Sequence, residues 1–161
     1  MSEIEKEIEV DVPVGTAYNQ WTQFESFPHF MEGVEDVKQL SDTRLKWRAQ
    51  VGGKEEEWEA AITKQEPDRQ VAWVNTSGAE NAGDVRFEPL GDDRTLVKLH
   101  MVYEPKGVVE NVGDALGVVS RQVEGDLQRF KEFIETRGRE TGAWRGEIQQ
   151  PRPGGGGNPE A

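Results

Sequence analysis

Apolar and polar residues alternate along most of the first hundred positions and then give way to a helical spacing. Over residues 3–11, Ile4, Ile8 and Val10 fall on one side and Glu3, Glu5, Glu7, Glu9 and Asp11 on the other, the period of a half-buried strand. Pro13 ends that strand and suits a first helical turn, and Val14, Ala17, Tyr18 and Trp21 follow at helical steps. Residues 24–30 predict a second short helix or turn, interrupted by Pro28.

The strands then resume. Residues 34–40 form one, closed by a turn at Ser41-Asp42. Leu45, Trp47, Ala49 and Val51 alternate with Arg44, Lys46, Arg48 and Gln50, and Gly52-Gly53 is a hairpin signal. Glu56, Trp58, Ala60 and Ile62 share the next face, against Glu55, Glu57, Glu59 and Ala61. After a turn at Pro67-Asp68, Val71, Trp73 and Asn75 mark a fifth strand, and residues 76–83 read as a loop of small residues. Val85 and Phe87 belong to a sixth strand, ended by Pro89 and Gly91-Asp92-Asp93. Val97, Leu99, Met101 and Tyr103 line one face of a seventh.

From residue 108 to 137 the apolar positions are Val112, Leu116, Val119, Val123, Leu127, Phe130 and Ile134, at steps of three or four. That spacing keeps them in a narrow stripe of an α-helix. Thirty helical residues span roughly 45 Å, longer than ordinary packing in a small domain requires. Such a helix laid across a curved antiparallel sheet leaves a hollow beneath it. Gly138 suits the left-handed position that closes a helix. The domain is therefore expected over residues 1–138, with a tail over 139–161 whose Gly- and Pro-rich end, 151–161, is expected to be disordered. Trp144 and Ile148 either pin the tail back on the domain or meet a partner.

Composition narrows the partners. Acidic residues outnumber basic ones 31 to 19 in a chain of 161, a net charge of −12, which argues against nucleic acid and against anionic membrane surfaces. There is no Cys, so disulfides, thiolate catalysis and Cys-ligated zinc are excluded. No apolar run approaches the ~20 residues of a membrane span, and the charged, alternating start is unlike a signal peptide, so a cytoplasmic protein with no stable membrane insertion is expected. No phosphate loop, zinc spacing, nucleophile elbow or dinucleotide fingerprint occurs, and neither a metal nor a cofactor is expected. Oligomeric state leaves no mark in the sequence.

The order strand, two helices, six strands, long helix, with VPVGTAYNQWTQFESFPHFMEGV after the first strand, resembles the START-like helix-grip superfamily. Within it, the chain is similar to the bacterial polyketide cyclase/dehydrase and lipid-transport (SRPBCC) family, which includes coenzyme Q-binding proteins. The likeness covers about residues 2–138 and rests on Val12-Pro13, the aromatic-rich stretch 21–30, Phe87-Glu88-Pro89 and the helix from Gly107. It implies an α+β fold: a seven-stranded antiparallel sheet wrapped around the long C-terminal helix, with two short helices after the first strand. It also implies a cavity between sheet and helix that takes an apolar or polycyclic ligand.

The residues expected to face that cavity are Trp47, Trp58, Trp73, Phe87, Leu99, Met101 and Tyr103 from the strands, with Phe27 and Phe30 as a lid. The helix would add Val112, Leu116, Val119 and Val123. Apolar walls with a few polar anchors are the usual make-up of a small-molecule site. Tyr103 is the first candidate anchor and Asn75 the second. Tyr103 and His29 are the candidates for proton transfer, although neither His29 nor His100 has a sequence neighbour that forms a triad. The acidic run 55–57 reads as a solvated face, except for Glu56, which shares the face of Trp58. Asp126 borders the helical stripe and is expected to pair with an Arg, without a catalytic role. Gly113 and Gly117, one turn apart, each cost roughly 1 kcal/mol against Ala, a cost that close approach of a strand, room for a ligand or hinge motion would explain.

Three functions fit. The first is binding or carriage of a hydrophobic small molecule such as a quinone, lipid or polyketide-like compound. The second is a polyketide aromatase/cyclase or dehydratase. The third is a protein-interaction module using the Trp144 segment. The first is favoured because an apolar inner surface is present without a visible catalytic set, a preference that rests on fold analogy.

Overall fold

The alternating segments pair into one antiparallel sheet. A computed structural model of the chain describes residues 2–51, 54–78, 80–104 and 112–149, and within these no side chain at 2, 51, 104 or 112–116. The strands are β1 (Ser2–Val10), β2 (Val34–Ser41), β3 (Arg44–Val51), β4 (Lys54–Glu66), β5 (Gln70–Asn75), β6 (Glu80–Gly91) and β7 (Arg94–Glu104), arranged β1-β7-β6-β5-β4-β3-β2. Every neighbour pair except β1 with β7 is a sequential hairpin, and the first strand closes onto the last of the meander, Ile4 opposite Met101 and Ile8 opposite Val97. The expected α+β helix-grip architecture is the one observed.

Local chemistry sets the helices. Pro13, extended at ψ 155°, precedes α1 (Val14–Trp21), and its carbonyl accepts the Ala17 N–H at 3.1 Å. A 3-10 segment follows at Phe24–His29 and tolerates Pro28. The long helix α2 (Val112–Arg137) ends where Gly138 adopts φ +74° and its N–H reaches the Ile134 carbonyl at 2.9 Å. Leu127, Phe130 and Ile134 of α2 are buried in the main core with Val71, Val85 and Val97 of the sheet, and Val119 is buried with Ile4 and Met101. Among the described residues no helix is long and apolar enough to cross a membrane.

Two features depart from the sequence expectation. First, β6 begins at Glu80, inside the stretch read as a loop. Asn81, Ala82, Gly83 and Asp84 have weak strand propensity, but β5 and β7 pair with this segment on both sides, and pairing overrides propensity. Gly83 is required there: a Cβ at this position would stand 2.3 Å from the His100 carbonyl oxygen and 2.7 Å from the Met101 Cβ.

Second, the sheet has an eighth strand, β8 (Ile148–Gln149). β4 outruns β3, and its uncovered end pairs with β8 through Lys64 with Gln149 and Gln65 with Ile148. The segment before β8 lies against α1. Gln20 and Thr141 exchange hydrogen bonds at 2.9 and 3.1 Å, the Trp144 N–H donates to Thr22 Oγ1 at 3.1 Å, and Arg145 pairs with Asp68 at 2.8 Å. The Trp144 segment is thus engaged by its own domain. The Gly52-Gly53 turn, Gly107 and residues 150–161 lie outside the described residues.

Candidate ligand cavity

Inside the sheet, under the N-terminal part of α2, lies a cavity of about 720 Å³. Inward alternation on β3, β4, β5 and β7 supplies its walls. Trp47 stands opposite Trp58 in the register, and their rings stack at 5.7 Å with 8° between planes. Trp73 completes an aromatic wall, its indole N–H held by Asn81 Oδ1 at 2.8 Å, while the Asn81 amide turns to the Met101 sulfur at 3.7 Å. Leu99, Met101, Tyr103 and Asn75 also face the space, as do Val119 and Val123 from α2 and Phe27 from the 3-10 segment.

Other sequence candidates are elsewhere. Phe30 and Phe87 are buried outside the cavity, in an aromatic cluster: Phe30 packs on Phe130 at 5.2 Å and Phe87 edge-on to Tyr18 at 5.5 Å. Phe87 has the inward phase of Val85, but α1 covers its end of the strand, so it meets side chains rather than open space. His29 is exposed outside the cavity and stacks on Phe133 at 5.9 Å, because the Pro28 turn carries its ring to the outer side of α2. His100 is directed to the outer face, near Glu3 and Asp84. The side chains of Val112, Leu116 and Gly113's neighbourhood lie outside the described residues. At Gly117 an added Cβ would meet little beyond the Arg121 guanidinium at 3.5 Å, so this glycine makes no room for a ligand.

The polar groups of the cavity are mostly not those singled out by alternation. Tyr103 is half-buried, and burial, with the charge of Glu56 adding to it, raises its phenol above the ordinary value of 10 and keeps it protonated. On the helix side, Gln122 and Asp126 face the space one turn apart. Their signal was present in the sequence: both flank the Val119–Val123 stripe at helical spacing. Asp126 Oδ1 accepts from Arg129 at 2.6 Å and from the Glu32 N–H at 3.2 Å. Burial nevertheless lifts its carboxyl from 3.8 to about 6, against the opposing pull of Arg129.

These residues also hold the chain at the cavity mouth. Gln122 Nε2 donates to the Glu32 carbonyl at 3.0 Å, and Arg129 Nε donates to the Phe30 carbonyl at 3.1 Å. Gly33 turns beside them at φ +91°, with its carbonyl accepting from Gln50 N–H at 2.7 Å. Among the described residues no cluster of three or more His, Asp or Glu side chains is arranged to hold a metal. A second concavity, between β1 and α2, is lined mainly by charged and polar groups such as Lys6, Arg121 and Glu124 and has no aromatic wall.

Comparison with known proteins gives a consistent picture. Residues 10–132 match the family described as polyketide cyclase / dehydrase and lipid transport. An uncharacterized 17.2 kDa protein from the melC2-rnhH intergenic region of Streptomyces lincolnensis is 56% identical over 149 residues, covering 92% of this chain and 99% of that one. Among solved structures, the Zhui aromatase/cyclase from Streptomyces sp. R1128 superposes with a TM-score of 0.76 at 16% identity, covering 89% of this chain and 99% of the other. A START superfamily protein from Mycobacterium smegmatis gives 0.68 at 17%, covering 84% and 95%. At such identities the two structural likenesses speak for the fold alone.

Proposed function

The chain belongs to the polyketide cyclase/dehydrase and lipid-transport family, and from that premise we propose that it binds and carries a hydrophobic small molecule in the cavity beneath α2. The observation that carries this reading is a cavity of about 720 Å³ lined by Trp47, Trp58, Trp73 and Met101. That volume falls within the ~300–1,000 Å³ of ordinary small-molecule sites. Apolar walls of this kind reward burial of a ring system by roughly 25 cal/mol per Å². A quinone, a lipid or a polyketide-like compound fits this chemistry.

Native mass spectrometry of the protein as it leaves the cell tests the reading. The expected result is a co-purifying apolar mass that is strongly reduced in Val123→Trp, where an indole intrudes on the space while the circular-dichroism spectrum stays unchanged. The same mass at the same occupancy in Val123→Trp overturns it.

A second reading, a polyketide aromatase/cyclase or dehydratase, is supported by one observation. A carboxyl lifted to about 6 sits in the same cavity as a protonated phenol, and acid–base work near neutral pH asks for groups of this kind. Turnover of a poly-β-keto substrate by the natural chain, lost in Asp126→Asn or Tyr103→Phe, would favour it over simple carriage.

A further inference from the structure

The ionisable side chains that face the cavity among the described residues are Lys54, Glu56, Glu57, Tyr103 and Asp126: three carboxylates and a phenol that stays protonated, against one ammonium. The helix side adds a more specific asymmetry. Asp126 receives both of its hydrogen bonds on Oδ1, which leaves Oδ2 as an acceptor without a protein donor among the described residues. The Glu32 carbonyl can only accept, so the Gln122 amide nitrogen must face it, and the Gln122 oxygen is left as a second acceptor one turn away. Both residues line the cavity. Arg129, which neutralises Asp126, also serves the Phe30 carbonyl and Glu32, and so is committed to the mouth segment. The Asn81 side chain is held between Trp73, whose N–H it accepts, and the Met101 sulfur, to which it donates.

A buried acceptor is satisfied by a donor, and an anion brought beside a carboxylate in a poorly solvated space is repelled. Resting on the reading of this cavity as a ligand site, we infer that it selects an apolar, ring-bearing ligand whose polar end is a hydrogen-bond donor, a hydroxyl or a protonated amine, received by Asp126 and Gln122. It rejects ligands with an anionic head, fatty acids among them. The stacked Trp47–Trp58 pair and Trp73 take the rings, and the acceptors on α2 fix which end of the ligand lies at the helix.

Three probes of one shape separate the possibilities: 2-naphthylmethanol, 2-naphthylmethylamine and 2-naphthoate, titrated calorimetrically into the full chain at pH 8, where Asp126 is ionised. The alcohol and the amine are expected to bind, and the carboxylate to bind at least about tenfold more weakly than the alcohol. Asp126→Asn is expected to remove most of the amine's affinity while changing that of the alcohol less than about threefold. Gln122→Lys keeps a donor toward the Glu32 carbonyl and places a cation beside Asp126. It is expected to raise carboxylate binding to near that of the alcohol, and it serves as the test should Asp126→Asn fail to fold. Carboxylate and alcohol binding equally to the natural chain overturns the inference while leaving the cavity as a ligand site. So does a carboxylate that gains nothing in Gln122→Lys. Binding of none of the three probes overturns the ligand-site reading itself, and the inference with it.

Discussion

The two ends of α2 lie over the same sheet and carry the same kinds of side chain, yet one end covers a solid core and the other a void. Leu127, Phe130 and Ile134 at the C-terminal end are at most 3% exposed. Trp21 and Phe30 pack on Phe130, and Phe27 on both of them, with ring centroids 4.9–6.0 Å apart, all tilted or edge-on. Val119 and Val123 at the N-terminal end pack with Met101, Trp73 and Leu99 and line the cavity together with Trp47 and Trp58. The difference is a third layer. α1 and the 3-10 segment insert Tyr18, Trp21, Phe24 and Phe27 between helix and sheet at one end only, and Trp21, Phe24 and Phe27 form the partition. Where only helix and sheet meet, Val119 still packs with Ile4 and Met101, but no third layer fills the room beside them, and the apolar residues line a space there. Close-packed interiors are the rule in proteins, so an unfilled volume of this size marks a place where something else is meant to sit.

The comparison is sharpened most by truncating one residue at each end. Phe130→Ala should cost about 3–5 kcal/mol in urea denaturation, because its ring is fully enclosed, whereas Val123→Ala, beside the void, should cost about 1 kcal/mol or less. Equal losses would mean that the two ends are packed alike. Next comes Gly83→Ala, at a tight contact between β6 and β7. With no room for a Cβ against the His100 carbonyl, β6 and β7 must part, at a cost of about 1–3 kcal/mol by the same measurement. A neutral outcome would show that the hollow end yields easily.

Asp126 stands at the junction of the two ends and gives the third test. Its carboxyl titrates near 3.8 when unfolded and at about 6 when folded, so folding takes up a proton between these values. The contribution is therefore most favourable below pH 3.8 and is lost as pH rises through 6. Asp126→Asn should remove about 2 kcal/mol of that decline between pH 4 and 7, seen as a flatter plot of unfolding free energy against pH. An unchanged slope would mean that Asp126 is solvated rather than enclosed. The smallest effect belongs to the outer side of α2. Gly117→Ala should stabilise the helix by up to about 1 kcal/mol and leave probe binding untouched, since its Cβ meets only Arg121. Weakened binding would return this glycine to the cavity.

Much of this was legible in the residue pattern. The alternation at Trp47, Trp58, Trp73 and Met101 identifies an inward face whatever lies across from it, because successive strand side chains point to opposite sides. Helix boundaries followed from Pro13 and Gly138, whose backbone preferences act locally. Phe87 and Phe30 were harder. Phe87 has the inward phase of β6 and Phe30 closes an aromatic-rich stretch, but whether such a ring meets a void or another ring depends on α1 and α2, which are remote in sequence from one or the other. Gln122 was passed over, and Asp126 was read only as a partner for an Arg, which Arg129 is, for a similar reason: at the edge of an apolar stripe, a polar side chain looks the same in sequence whether it turns to solvent or to a cavity.

The sequence by itself determined the fold, since its hydrophobic periods, turn residues and caps are local properties that each segment carries with it. It also determined the sign of the charge and the apolar lining of the inner face. Only the tertiary structure decided that β4 needs a short partner from the C-terminal segment, that one end of α2 is filled and the other open, and that two acceptors on α2 are left facing the space. These are outcomes of how far one element's side chains reach toward another, and that distance is written in no single stretch of chain.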